Sequence, residues 1–224
     1  MSDARSLDSR AIEPEPPPAA MPLIEPRDLR TAVHAHRGVF TCSEIHAKGR
    51  LREVPFQHVG ADPVPGRKVP AIPGLRDFYE AFDELLMYVD AQSGDAAYRI
   101  ASPPEWPALD AQFRPWLEPL EEDECPDWID DCVVVGEIPR SGNYLLVPAS
   151  GPFAGQVFEF EHDGYEFLAL GESLPAFVLA ALDLDPPRLT AIASHLRFVI
   201  PGDRRQWWIE AMDDNRGHRL RTEA

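Results

Sequence analysis

The dipeptide Asp163-Gly164, set between the alternating runs VFEFEH and YEFLAL, constrains this chain more than any other feature. Asp-Gly is a strong hairpin signal because both central residues of a type I′ turn need positive φ. Folding the chain back there sets His162 opposite Tyr165, Glu161 opposite Glu166, Phe160 opposite Phe167 and Phe158 opposite Ala169. Strand side chains alternate between faces. Phe158, Phe160, Phe167 and Ala169 therefore share a core face, and Glu159, Glu161, Glu166 and Leu168 share one turned to water.

That alternation weakens an enzymatic reading of the cluster Glu159, Glu161, His162 and Asp163. Acid–base catalysis needs its groups to converge, whereas alternation keeps His162 from meeting Glu161 directly. Surface glutamates and a turn histidine account for the pattern more simply. The chain carries no G-x-x-x-x-G-K-[ST], no G-x-G-x-x-G after a strand, no G-x-S-x-G and no H-E-x-x-H. Ser141, in RSGNY, has no activating neighbour in sequence. His34, His36, Cys42 and His46 lie in one short region and include zinc-type ligands, but no paired C-x2-C spacing accompanies them. The sequence therefore points to no catalytic residue, no cofactor and no metal.

Three cysteines, Cys42, Cys125 and Cys132, leave one over and fit structural thiols in a reducing compartment. No apolar run reaches the roughly 18 to 20 residues that span a bilayer. Residues 1–22 lack the apolar core of a secretory signal, so the expected location is cytoplasmic. They are polar and proline-rich, the composition of a disordered tail, and Met21 offers an alternative start.

Residues 23–71 form an N-terminal extension with no clear pattern. GLRDFYEAFDELLMY places Leu75, Phe78, Tyr79, Phe82, Leu85 and Leu86 at helical spacing and predicts a helix from Leu75 to Tyr88. AYRIA (97–101) reads as a strand, and PALDAQFRPWLE as a helix opened by Pro107. CVVVG (132–136) and YLLVP (144–148) read as strands joined through SGN. ESLPAFVLAALDL (172–184) is an apolar helix with Ser173 placed to cap it. RFVIPGDRRQWWIEAM reads as a hairpin around Pro201-Gly202-Asp203, followed by a turn in DDNRG. The expected fold is α+β, an antiparallel-rich mixed sheet flanked by helices. Its core would occupy residues 72–200, with residues 201–224 forming a C-terminal hairpin and frayed end.

Charge is the stronger functional signal. The chain has 38 acidic and 21 basic side chains, a net −17. That sign disfavours binding to nucleic acid or anionic lipid and suits a cationic protein partner. Between Ala101 and Pro187 stand 18 acidic residues against Arg114 and Arg140, which is 18 less 2, or −16. Glu121, Glu122, Asp123 and Glu124 are consecutive there. An acidic run often serves only solubility. A recognition surface is the competing reading, and Glu161 opposite Glu166 favours it, since like charges paired across strands cost stability. Glu121, Glu122, Asp123, Glu124, Glu159, Glu161 and Glu166 are the candidate partner-binding residues. Trp116 and Trp128 flank the run as core residues or interface anchors.

The segments GNYLLV, GPFAGQVFEFEHD and SLPAFVL resemble the core of the SUKH superfamily, a domain found in fungal cell-wall regulators and bacterial immunity proteins. The resemblance covers roughly residues 72–182, through Leu75 to Tyr88, Gly142 to Leu146, Gln156 to Asp163 and Leu174 to Leu179. It implies an α+β domain with no shared catalytic residues, often one that binds and blocks a cognate toxin. The expected function is thus a non-enzymatic immunity protein that occludes a basic toxin domain with an acidic surface. A regulatory or scaffold module is the alternative.

Overall fold

The structure, a computed structural model, describes residues 25–47, 49–121, 123–199 and 205–223. It is an α+β fold with five α-helices and one large antiparallel sheet of eleven strands. The strand order is β11-β10-β1-β2-β3-β4-β5-β6-β7-β8, with β9 pairing β10. Every pairing among the described strands is antiparallel, so the mixed sheet expected from sequence is corrected to an antiparallel one.

The extension is integral to the sheet. Helix α1 (Pro26–Ala35) opens with proline at its first position and buries Leu29 and Val33, one turn apart. Strands β1 (Gly38–Glu44) and β2 (Leu51–Gly60) follow, and β1 pairs with β10 (Gln206–Asp214) near the far end of the chain. In β2, Val54, Phe56 and His58 are buried while their neighbours face outward, the period of a half-buried strand.

The helix expected over 75–88 is half right. Helix α2 (Leu75–Ala81) starts at Gly74, whose φ of 75° suits glycine, and ends at Phe82 in extended conformation. Leu85–Asp90 is strand β3, buried on both faces. A short apolar run of that kind has no periodicity to separate helix from strand. Tyr88 within it has φ 58°, a left-handed conformation rare for an aromatic residue. It falls where the β2–β3 register slips between Gln57 and Val59.

Strands β4 (Tyr98–Ile100), β5 (Cys132–Ile138), β6 (Asn143–Pro148), β7 (Val157–Glu161) and β8 (Glu166–Gly171) complete that wing. Helix α3 (Trp106–Phe113), continued by a 3-10 turn at Arg114–Leu117, packs on β5. Helix α4 (Leu174–Leu182) starts where Ser173 Oγ accepts the Ala176 N–H at 3.3 Å. Helix α5 (Pro186–His195), which the sequence reading missed, is capped in the same way by Asp185 and Arg188 N–H at 2.9 Å.

Two hydrophobic clusters lie on the sheet. The larger joins α1, α2, α4 and α5 to the strands through residues such as Val33, Phe78, Val157, Phe177 and Ile192. The smaller packs α3 and the acidic stretch after it against Tyr144, Leu146, Phe158 and Phe160. Helix α5 contacts β10 and β11 (Arg219–Arg221), yet its His195 reaches Asn143 on β6, so the sheet curls around the helices. Strand β9 (Phe198–Val199) pairs with Gln206 and Trp207 as the expected hairpin requires. Its turn residues Pro201, Gly202 and Asp203, like residues 1–22, lie outside the described residues.

Candidate functional site: an acidic surface and the network beneath it

The β7–β8 register matches the sequence reading: Phe158 faces Ala169, Glu159 faces Leu168, Phe160 faces Phe167 and Glu161 faces Glu166. The turn itself is different. Four residues, 162–165, form it, and the positive φ of 55° falls on Tyr165, not on the Asp-Gly pair. Glu161 supplies the reason. Its carboxylate accepts the N–H groups of Asp163 (3.1 Å) and Gly164 (2.6 Å), closing the loop from within.

The phenylalanine face is core, as expected: Phe158 and Phe160 are buried and Phe167 packs against them. The carboxylate face needs correction at Glu159, which is only 9 % exposed. Its Oε1 accepts a hydrogen bond from Asn143 Nδ2 at 2.7 Å. Burial raises the Glu159 pKa, the Asn143 bond lowers it and the Glu161 charge raises it again, for a net upward shift. Glu159 is therefore a component of the interior and not a surface contact.

Asn143, fully buried, organises this region. Its Oδ1 accepts the backbone N–H of His162 at 3.2 Å and lies 2.9 Å from His162 Nδ1. Its Nδ2 also lies 3.4 Å from His195 Nε2. The amide orientation is fixed by two unambiguous partners, a carboxylate on one side and a backbone N–H on the other. His162 must then carry its proton on Nδ1. Burial lowers the His195 pKa against the opposing pull of Glu161. His162 also packs edge-on against Trp116, with ring centroids 5.2 Å apart.

His162 does approach Glu161, contrary to the strand argument, because it sits in the turn beyond the last paired residue. Glu161, His162 and Asp163 bring ligand atoms within 4.8 Å of one another, the one such set among the described residues. Both Glu161 oxygens are already occupied by the turn N–H groups, and His162 Nε2 lies 3.0 Å from Asp163 Oδ1. His34, His36, Cys42 and His46 form no such set among the described residues. The three cysteines are free thiols, and burial pushes Cys42 up to about 12 and Cys132 up to about 11.

The acidic stretch after α3 lies on the opposite side of the hairpin from Glu161 and Glu166. It is pinned at both ends. Trp116 packs on His162, and Trp128 lies 4.6 Å from Phe158 and 5.8 Å from Phe167. Both tryptophans are half-buried anchors of the smaller core. Between and beyond them Glu118, Glu121, Asp123, Glu124, Asp127, Asp130 and Asp131 are exposed, and Glu122 lies outside the described residues. Glu124 turns one oxygen back to the Glu121 N–H at 2.8 Å. The cations nearby are used internally: Arg114 bonds Asp110 at 2.9 Å and reaches Asp130 at 3.5 Å, and Arg140 bonds the buried Asp95. Among the described residues Glu118, Glu121, Asp123, Glu124 and Asp127 make no ion pair. The seven sequence candidates therefore divide into a strip (Glu121, Asp123, Glu124), an exposed residue on the other face (Glu166), a turn clamp (Glu161), a buried group (Glu159) and Glu122.

A second polar group, unforeseen from sequence, lies towards the other end of the sheet. His36 and His58, 3 % and 6 % exposed, meet through His36 Nδ1 and His58 Nε2 at 2.8 Å. The Tyr88 N–H can only donate, and it does so to His58 Nδ1 at 3.2 Å. His58 Nε2 therefore donates to His36, whose Nε2 donates to Asp214 Oδ2 at 3.2 Å. Burial and the neighbouring His36 lower His58 to about 3. The chain of bonds that begins at a backbone N–H explains the left-handed Tyr88, whose amide leaves the ladder to hold the ring.

Comparison with protein-family models, with curated proteins and with solved structures gives no match to this chain. Among the described residues no helix is long and apolar enough to cross a membrane.

Proposed function

We propose that this protein is a non-enzymatic, cytoplasmic binding module of SUKH type, which neutralises a cognate toxin by covering a basic surface of it. The observation that carries the reading is the strip Glu118–Asp127, in which Glu118, Glu121, Asp123, Glu124 and Asp127 are exposed and make no ion pair among the described residues, while two tryptophans fix its course. Unpaired like charges held in place cost folding energy through mutual repulsion, and a cationic partner recovers that cost on binding. A negative strip also accelerates encounter with a basic domain in a salt-dependent way. Glu121, Glu122, Asp123, Glu124 and Glu166 are the proposed contact residues. Glu159 and Glu161 contribute by holding the hairpin in shape.

Affinity capture from the native host, with mass spectrometry of what is retained, identifies the partner. Reversal of Glu121, Glu122, Asp123 and Glu124 to lysine is expected to slow association on the order of tenfold or more and to weaken its salt dependence. The melting temperature should stay within a few degrees, since exposed substitutions change stability by about 0.5 kcal/mol or less each. Association unchanged by the reversal would remove the strip from the proposal. A captured partner that is acidic, or a regulatory protein with no toxic activity in the host, would favour the scaffold reading instead.

A further inference from the structure

Beside the acidic strip runs a groove of about 620 Å³, and its walls differ in kind from the strip itself. One wall is aromatic and apolar: Trp128, Pro126, Pro152 and Phe153. The other carries the carboxylates of Asp127, which precedes the short 3-10 turn Ile129–Asp131, and of Asp131, which ends it. Phe153 is 43 % exposed, one of the few large apolar side chains left in water. Its ring is propped edge-on by Phe158 at 6.0 Å, and Trp128 lies against the same Phe158, so the wall stands on the smaller core. Asp131 is steadied by Ser150, whose hydroxyl donates to its Oδ2. Asp127 has no partner among the described residues and faces the groove with its charge uncompensated.

We propose that this groove receives an arginine side chain of the partner protein. The inference rests on the reading of the acidic face as a surface for a basic protein. A guanidinium is planar, stacks on aromatic faces and presents a fork of N–H donors to carboxylates, so it satisfies both walls at once. A lysine ammonium is a compact and strongly hydrated charge that can meet the carboxylates but gains less from the aromatic wall. An apolar side chain would fit the rings and leave Asp127 and Asp131 desolvated without counter-charge, which is costly. Trp and Arg pairings in a desolvated pocket are also the contacts that concentrate interface energy. The strip would attract a basic partner, and the groove would select which cation anchors it.

The test uses the full chain with hexa-arginine and hexalysine peptides at low ionic strength. Affinity is followed by calorimetry, and contact by chemical-shift changes at the Trp128 indole and the Phe153 ring. The arginine peptide is expected to bind on the order of five- to tenfold more tightly than the lysine peptide, with shifts at both rings. Phe153→Ala, at an exposed position, should abolish that preference and leave hexalysine binding within about twofold, whereas Asp127→Asn should weaken both peptides and weaken hexa-arginine the more, so that the preference is lost there too. Glu121→Gln, on the strip but outside the groove, should weaken both peptides alike. Equal affinity for the two peptides, or a preference that survives both groove substitutions, overturns the arginine site and leaves the acidic surface standing. Failure of either peptide to bind the chain at all overturns the surface reading together with the groove.

Discussion

Two buried polar networks lie towards opposite ends of one sheet, and they differ in what they connect. The His36–His58–Asp214 chain, between β1, β2 and β10, links a backbone amide to a carboxylate through two neutral rings and has no part of the acidic surface within it. The Asn143 network, between β6, β7 and α5, links the buried Glu159 to His162 in the turn, beside the exposed Asp163. Both satisfy polar groups that burial would otherwise penalise. The first fixes the bulge between β2 and β3. The second fixes the hairpin that carries Glu166 and supports Trp116, the anchor of the acidic strip. Polarity in the interior serves architecture in one place and the presentation of charge in the other.

His58 of the first network and Glu159 of the second should respond to pH with opposite sign, and the larger effect belongs to His58. His58 titrates near 6.5 in an unfolded chain but at about 3 here. Below pH 6.5 the unfolded state binds a proton that the native state refuses, so stability present above 6.5 is lost as pH falls through that window. The loss reaches at most about 5 kcal/mol at 1.36 kcal/mol per pH unit. Chemical denaturation between pH 7 and pH 4 measures the slope, and NMR of the His58 ring protons should show no titration above pH 4. A ring that titrates near 6.5 would separate His58 from the network.

The next effect is at Asn143. Replacing it with alanine strips the buried Glu159 carboxylate of its donor and leaves the His162 N–H without its acceptor, so Asn143→Ala should cost about 2 to 4 kcal/mol. Asn143→Asp is expected to be no milder, because it sets a second carboxylate beside Glu159. Equilibrium unfolding of both variants provides the measurement. In either, the Trp116 fluorescence environment should also change, since its neighbour His162 loses its tether. A loss below about 0.5 kcal/mol would mean that the hairpin is held by its phenylalanines alone.

These two networks also mark what the sequence could convey. The hairpin register was legible because alternation of phenylalanine and glutamate has a period of two, and one face had to be core. The burial of Glu159 was not, because Asn143, which bonds it, comes from another strand, and His195, which reaches Asn143, comes from a helix that local pattern cannot bring near. Nor was the division of the acidic candidates, since the two tryptophans that place the strip on the other side of the hairpin could equally have been ordinary core. The histidine chain depends on partners 22 and 178 residues apart. Strands β1 and β2 were unread for the same reason: β1 pairs with β10, and Pro55 obscures the alternation of β2. The 75–88 helix failed on a local ambiguity, a strand buried on both faces. Helix α5 does carry a local signal, since Asp185 followed by Pro186 is an ordinary helix start.

The smallest effect gives the finest comparison. Glu159 has its pKa raised by burial, so the native state favours the protonated form. Its contribution is fully present below the unfolded value of about 4.5 and is lost as pH rises through the higher folded value, the reverse of the histidines. At pH 7 the buried carboxylate is a burden, relieved in part by Asn143. Glu159→Gln keeps an oxygen to accept the Asn143 N–H, and the second Glu159 oxygen is not among the buried atoms without a partner, so the new amide N–H groups retain access to water. The variant should therefore match or exceed the native protein at pH 7, by about 1 kcal/mol or less. Its stability should fall more steeply than that of the native protein as pH drops from 7 to 4.5, because the opposing slope of Glu159 is gone and the histidine slope acts unopposed. Denaturation curves at pH 7, 6 and 5 for the two proteins read this directly. If Glu159→Gln is destabilised at pH 7, the negative charge itself holds the network together, and the presentation of surface charge would then depend on a buried carboxylate instead of a neutral amide hub.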